Sequence, residues 1–470
     1  MAQISFFDGN VPFKIDKPIR LIELFGGYGS QAFALKYLGA NFEHWKLCEW
    51  AIKSIQAYKD AHFENDKTDY SKGLSQQEII DYLAKKGISQ NYNEPLGYEQ
   101  VKRLGEEKQR QIYNNIKATH NLVNICQVKG EDLEIKDTDK FTYVMTYSFP
   151  CQDLSSAGLG KGMEKDSGTR SGLLWEVERI LDELHNGDGE LPQVLLMENV
   201  PEVIGTNNIS HFAKWLEKLE SLGYHCYWEV LNARDYGIPQ NRERCFMVSV
   251  LGDYYYEFPQ PIKLEHKLKD LLEENVDKSF YLTDNGIRYV LNRTPIGEKP
   301  NRANNIIGCD AERNAGTITT TTTYRGEDNY IVTTLTQDEV DDKIYLKGKP
   351  NAKVELCNQL ILNGQVEEGD MIRHSYTNSR SNDFHIENKE YHDCSATLTT
   401  RTDTLGITIK ELGDLRIRKL TPKECFRLMG VKDEDYEKIA KNQSNASLWH
   451  LSGDSIVVNV LMAIFGEMLQ

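Results

Sequence analysis

Tyr147-Ser148-Phe149-Pro150-Cys151-Gln152-Asp153 places one thiol just beyond an apolar run, Tyr143 to Tyr147. Some fifty residues on, the apolar run Gln193 to Met197 delivers a carboxyl group, Glu198, in Glu198-Asn199-Val200. A lone cysteine is ordinarily a small buried hydrophobe. Two reactive groups that each follow a strand-like run are different, because ligands bind at the carboxyl ends of parallel strands. A thiolate is a strong nucleophile, and a carboxyl group kept from water can hold a proton to donate. A thiol and a carboxyl group then share one face of the presumed sheet.

Those residues require an α/β scaffold, and the start of the chain reads as one. Ile19 to Leu24 forms a buried-strand pattern that enters Phe25-Gly26-Gly27-Tyr28-Gly29-Ser30 and then a helix, Gln31 to Leu38, stopped at Gly39. A glycine turn between strand and helix lets backbone approach a nucleotide-like ligand. Glu49, at the end of the next strand, stands where an acid can bind ribose hydroxyls. The spacing is GGxG rather than GxGxxG, which suits an adenosine cofactor lacking a pyrophosphate.

In this order the motifs resemble those of the DNA (cytosine-5) methyltransferases, over most of the chain except one central region. The resemblance implies a Rossmann-like S-adenosylmethionine-dependent fold with a mixed, mostly parallel sheet and a smaller target-recognition domain. It assigns the cofactor loop to Phe25, Gly26, Gly27, Tyr28, Gly29 and Ser30, the ribose and adenine contacts to Glu49 and Trp50, and the acid reading the adenine amino group to Asp132. Pro150 and the closing motif Gly453-Asp454-Ser455-Ile456 complete the cofactor set, with Ser455 and Ile456 making backbone contacts. Asp454 stands where the family usually has Asn.

By the same resemblance Cys151 adds to C6 of the cytosine, Glu198 protonates N3, Arg244 grips the base carbonyl and Arg242 positions a backbone phosphate. Gln152, Ser155 and Gln240 join Arg242 on the DNA side. The base must leave the duplex stack to react. Ser155 to Gly172, with Gly158, Gly160, Gly162 and Gly168, has the composition of a closing lid.

Residues 1–255 are expected to form the catalytic domain, with a charged helical excursion at about 60–128, including Gln76 to Lys86 and Tyr98 to Ala118. A solvated helical pair packed on the sheet is the plainer reading of the excursion, and a DNA-flanking contact the sharper one. Ile80-Asp81-Tyr82-Leu83, Ile112-Tyr113-Asn114 and Gly168-Thr169-Arg170-Ser171-Gly172 resemble the subgroup that includes the mollicute CpG enzymes. Residues 256–415, rich in Asn, Thr and Gly, read as short strands and recognition loops. Ala315 to Thr320 is echoed by Ser395 to Thr400, and the second copy, with Thr397, Leu398 and Arg401, matches the family's recognition element better. Arg418-Lys419-Leu420-Thr421-Pro422 then opens a hinge segment and a C-terminal helix, 416–470, that complete the catalytic domain.

The net charge of −16 excludes wrapping nucleic acid with the whole surface and calls for a local patch. Between Arg288 and Arg325, six basic residues face three acidic ones. The nine cysteines show no CxxC pair, so no metal and a reducing cytoplasm are expected. No apolar run reaches membrane-spanning length. The partners expected are double-stranded DNA and a cognate restriction endonuclease, with the enzyme itself a monomer. Two other readings remain open. A tRNA cytosine-5 methyltransferase shares the motifs but has a much smaller recognition region than the 160 residues of 256–415. A catalytically silent DNA-binding homologue is hard to reconcile with intact Cys151, Glu198 and Arg244. No DPPY-like tetrapeptide supports adenine methylation.

Overall fold

The computed structural model describes residues 11–150, 170–281 and 415–469, together with the backbone of five short strands between residues 305 and 406. Six strands make the central sheet: β1 (Ile19–Leu24), β2 (Phe42–Cys48), β3 (Thr142–Tyr147), β4 (Val194–Asn199), β5 (Tyr224–Asn232) and β6 (Glu243–Leu251). Their spatial order is β2-β1-β3-β4-β6-β5. The first four are mutually parallel, whereas β6 runs antiparallel to both β4 and β5. β3 and β4 are buried at every position, as expected of parallel strands covered on both faces.

Alternation sends Ile19, Leu21, Val144 and Val194 to one face, under α1 (Ser30–Leu38) and the last helix, Val458–Leu469. Ile22, Leu24, Tyr143, Met145 and Tyr147 go to the other, under Leu174–Asn186 and Ile209–Ser221. The C-terminal helix, with Val458, Leu461, Ile464 and Phe465 buried, therefore lies in the catalytic layer beside α1. No single described helix is long and apolar enough to cross a membrane.

The excursion differs from the expected helical pair in two respects. Gln76–Lys86 is one helix, but the stretch from Tyr98 breaks into Tyr98–Arg103 and Glu106–Ala118, because Gly105 sits at φ +81°, outside the helical region. The three helices do not rest on the sheet. Ile79, Ile80, Leu83, Val101, Ile112 and Ile116 enclose a core of their own, with Ile52 and Ile55 of α2 (Ile52–His62). Their remaining faces are charged.

Toward the C-terminus, a strand at Leu415–Lys419 pairs antiparallel with Asn329–Thr334, which pairs parallel with Asn305–Gly308. Three shorter strands, Ile372–His374, Phe384–Ile386 and Thr404–Gly406, form a second small sheet. Arg418 is buried and grips Glu424 with two 2.8 Å bonds. Glu424 also accepts from the Thr421 and Glu273 backbone N–H groups at 2.8 and 2.9 Å, so the capping box of helix Pro422–Leu428 doubles as an anchor.

Candidate active site

A cavity of about 540 Å³ opens at the carboxyl ends of β1, β2, β3 and β4. Its floor is the β1–α1 turn. Phe25 takes φ +59° and Gly27 φ +56°, and the Phe25 N–H donates to Cys48 O at 2.8 Å. A non-glycine residue in this region costs about 1–3 kcal/mol and persists only where surrounding bonds hold it. A Cβ on Gly26 would run into Leu47, whereas one on Gly27 would meet nothing within 4 Å, so the second glycine faces the open cavity. Gly29, φ +86°, points away from the cavity toward Tyr58 and His62, and it serves the turn rather than the ligand.

Glu49 follows β2, is 8 % exposed, and accepts from the Gly27 N–H at 3.1 Å and the Ala51 N–H at 2.7 Å, one on each oxygen. Burial, opposed by these two bonds, pushes its carboxyl up to about 7. Tyr28 donates to Ser455 Oγ at 2.7 Å, which ties the first turn to the closing motif more than four hundred residues away. Phe25, Gly26, Gly27, Tyr28, Ser30, Glu49, Trp50, Pro150, Ser455 and Ile456 all line the cavity, as do Glu198, Arg242 and Arg244.

Asp132 does not. Its carboxylate turns back to accept the Lys129 N–H at 2.9 Å, capping a short 3-10 turn at the surface. The wall beyond β2 is made instead by Val123, Asn124, Ile125 and Cys126, with Asn124 accepting the Cys126 N–H at 3.1 Å. Both segments precede β3 and both carry a polar residue before an apolar one, so spacing alone did not separate them.

At the catalytic end, Glu198 leaves β4 with 8 % of its surface exposed, and burial raises its carboxyl above the ordinary range despite the opposing cations Arg244 and Arg242. Arg244 Nε lies 3.1 Å from Glu198 Oε1. The neighbouring Asn199 donates to Phe149 O at 2.9 Å, fixing the end of β3 two residues before Cys151. That clamp was legible only as part of the Glu-Asn-Val motif.

Two residues assigned to the DNA side turn inward. Gln240 is fully buried and donates to Leu428 O at 2.7 Å, joining the QxRxR segment to the helix after Pro422. Arg242, 4 % exposed, donates to Gly453 O and Ser455 O at 3.2 and 2.8 Å. A guanidinium committed to the closing motif is a clamp across the cavity wall and is not placed to reach an outer phosphate. Cys151, Gln152, Ser155, most of the glycine-rich segment 155–172, both Thr-rich copies, Thr397, Leu398 and Arg401 lie outside the described residues.

A family model described as C-5 cytosine-specific DNA methylase matches residues 98–470. The Type II methyltransferase M2.ScrFI of Lactococcus lactis subsp. cremoris is 32% identical over 459 residues, covering 96% of this chain and 99% of that protein. The orphan methyltransferase M.SssI of Spiroplasma monobiae is 41% identical over 277 residues, covering 58% of this chain and 70% of its own length. Among solved structures, the Entamoeba histolytica methyltransferase EhMeth superposes with a TM-score of 0.54 at 14% identity, covering 96% of this chain and 98% of its own. The S. pombe Dnmt2 methyltransferase does so at 0.51 and 14%, covering 96% and 97%. At those identities the structures speak for the fold, while the family match and the near full-length relative speak for descent. With its glycine turn, buried glutamate and paired arginine set around one cavity, this chain belongs to the C-5 cytosine-specific DNA methylase family and is a DNA cytosine-5 methyltransferase.

Proposed function

We propose that the enzyme methylates a cytosine swung out of a specific duplex sequence, through a covalent bond between Cys151 and C6 of the base. The observation that carries this reading is the buried Glu198 carboxyl, paired with Arg244 in the cavity that also holds the cofactor-type turn and the Pro150 approach to Cys151. S-adenosylmethionine supplies the methyl group as an electrophile on a sulfonium. The residues fit it: Gly27 leaves room at the floor, and each Glu49 oxygen keeps accepting capacity for ribose hydroxyls after its backbone bond. Trp50 offers an aromatic face, and Asn124 with Ile125 walls the far end in place of Asp132.

C5 of cytosine is a weak nucleophile while its ring is aromatic. The Cys151 thiolate adds to C6 as the Glu198 proton passes to N3, leaving an enamine whose electrons are concentrated on C5 and a Glu198 carboxylate paired with Arg244. After C5 has been methylated, loss of its proton to a base expels the thiolate across C5 and C6, and N3 returns its proton to Glu198. A free thiol has a pKa of about 8.5, so the cations Arg242 and Arg244 favour the reactive form. Unstacking the base costs a few kcal/mol, which contacts from both domains offset. Residues 256–415 serve as the recognition domain, with Thr397, Leu398 and Arg401 against the target, and residues 416–470 close the catalytic domain.

Duplex DNA with 5-fluorocytosine at the target cannot lose a proton from C5, so it should accumulate as a protein adduct at Cys151 when S-adenosylmethionine is present. Peptide mapping checks the position. An adduct at another cysteine, or none during active methylation of ordinary DNA, overturns the covalent route.

A further inference from the structure

The excursion between Trp50 and Asn124 carries none of the chemistry above, yet it reaches the cavity. The Ser89 N–H donates to Trp50 O at 2.8 Å and the Ile52 N–H to Ser89 O at 2.9 Å, so the chain after helix Gln76–Lys86 is stitched to the backbone next to Glu49. The loop that follows is closed on itself. Leu96 N–H donates to Ile88 O at 2.8 Å, Ser89 Oγ to Glu94 O at 2.7 Å, and Asn91 Oδ1 accepts from the Asn93 and Glu94 N–H groups at 3.0 and 3.3 Å. At its tip stands Tyr92 with φ +62°. Tyr92, Asn93 and Pro95 line the same cavity as Glu49, Trp50 and Ser455.

The Tyr92 ring lies 4.2 Å from the His450 ring, centroid to centroid, at 52°. His450 Nε2 is 3.1 Å from Asp454 Oδ2, the residue that departs from the family's usual Asn. Ser54 Oγ donates toward the Tyr92 hydroxyl at 3.4 Å. Burial, reinforced by the carboxylates of Glu49 and Asp454, pushes the phenol well above its ordinary range and keeps it a neutral O–H donor. A bulky residue in the left-handed region is an outlier whose cost must be offset by its surroundings. Here it holds a half-buried ring at the mouth of a cavity, between the acid after β2 and the closing motif.

We infer that the helical excursion is part of the cofactor site, with the Tyr92 ring, backed by His450, forming the wall against the adenosine half of S-adenosylmethionine. This rests on the cavity being the site of that cofactor. The ring covers the side where Glu49 and Asp454 converge, so the ligand portion it meets is the hydroxyl-bearing sugar and the purine beside it. The excursion thereby acts on cofactor retention and not on DNA flanking the target.

The test is calorimetric binding of S-adenosylmethionine and S-adenosylhomocysteine to the full-length enzyme and to Tyr92→Asn, Tyr92→Phe and Glu49→Ala. Asn tolerates the left-handed backbone, so Tyr92→Asn removes the ring without forcing the loop. Loss of one aromatic contact should weaken both ligands about tenfold in Tyr92→Asn, while Tyr92→Phe stays near wild type and duplex affinity measured without cofactor is unchanged in both. Wild-type affinity in Tyr92→Asn, with binding lost in Glu49→Ala, overturns the inference and leaves the cofactor site standing. Wild-type affinity in both overturns the site itself. Equal losses in Tyr92→Asn and Tyr92→Phe, or a loss of duplex affinity alone, also overturn it. Hydrogen exchange on the unaltered enzyme gives a second reading that needs no variant to fold. Bound cofactor should slow the amides of residues 91–94, and protection confined to residues 26–29 refutes the wall.

Discussion

Replacing Glu198 by Gln separates proton delivery from shape. Gln keeps an oxygen for Arg244, 3.1 Å away, but presents an amide to N3 that cannot give up a proton. General acid catalysis of this kind contributes about 10²–10⁴ in rate, equivalent to roughly 2.7–5.4 kcal/mol of barrier. Folding should respond differently. Burial raises the Glu198 carboxyl in the folded protein, so the fold favours the protonated form. Its stabilising contribution is therefore complete below the unfolded carboxyl value of about 4.3 and is lost as pH rises through the raised folded value. Above that value a charge sits buried against Arg244, so the difference in unfolding temperature between wild type and Glu198→Gln should change as pH rises through it. The assay is single-turnover transfer of a tritiated methyl group in a preformed enzyme–DNA complex between pH 6 and 9, with duplex affinity measured in parallel. Transfer should drop by at least about a hundredfold with affinity little changed. Whatever pH dependence the Glu198 proton gives the wild-type rate should be absent from the variant. A variant rate within about twofold of wild type across the range would refute the assignment of Glu198 as the acid.

Cys151→Ser should abolish methylation while leaving cofactor and duplex binding in place, because a hydroxyl is far less nucleophilic than a thiolate; substantial turnover measured by methyl incorporation contradicts the covalent route. Gly29→Ala adds a Cβ that meets Tyr58 Cε2 at 2.8 Å and crowds His62 at φ +86°, whereas at Gly39, φ +69°, the same Cβ meets nothing within 4 Å. Thermal unfolding should therefore show Gly29→Ala less stable than Gly39→Ala by about 1–3 kcal/mol, and equal losses would remove the steric argument. Arg401→Ala should lose about 1–3 kcal/mol of duplex binding and relax preference at one base pair if it reads a base edge. Binding to single-base-substituted duplexes at two salt concentrations checks this, since a phosphate contact would instead weaken all sequences alike and flatten the salt dependence.

Much of the scaffold was legible because its determinants are local. Val194 to Met197 is apolar without alternation, which is what a strand covered on both faces requires, and Ile19 to Leu24 is apolar apart from Arg20 and Glu23. Gly39 caps α1 in the left-handed conformation, as its place after Leu38 suggested. Residue types at strand ends also announced Glu198 and Glu49, since a carboxylate after a buried strand has to emerge at the sheet edge. Gly105 was legible in principle, but the charged periodicity on either side of it outweighed one residue.

What the tertiary structure decided is which of several equivalent polar residues reaches the cavity. Asp132 and Asn124 have similar local settings, and only the path of the chain into β3 turns one inward and the other to a surface cap. Arg242 and Arg244 are two residues apart, so on a strand their side chains share a face, yet the closing motif offers Gly453 and Ser455 carbonyls to the first and leaves Glu198 to the second. Gln240 is claimed by Leu428 in a helix nearly two hundred residues away. Tyr92 gives no sign of its place in a sequence window, because its position depends on the bridge from Ser89 back to Ala51 and on the ring of His450. Secondary structure follows from neighbours along the chain, whereas the partner of a buried polar group depends on which other donors and acceptors the fold brings within 3 Å, and no local pattern encodes that.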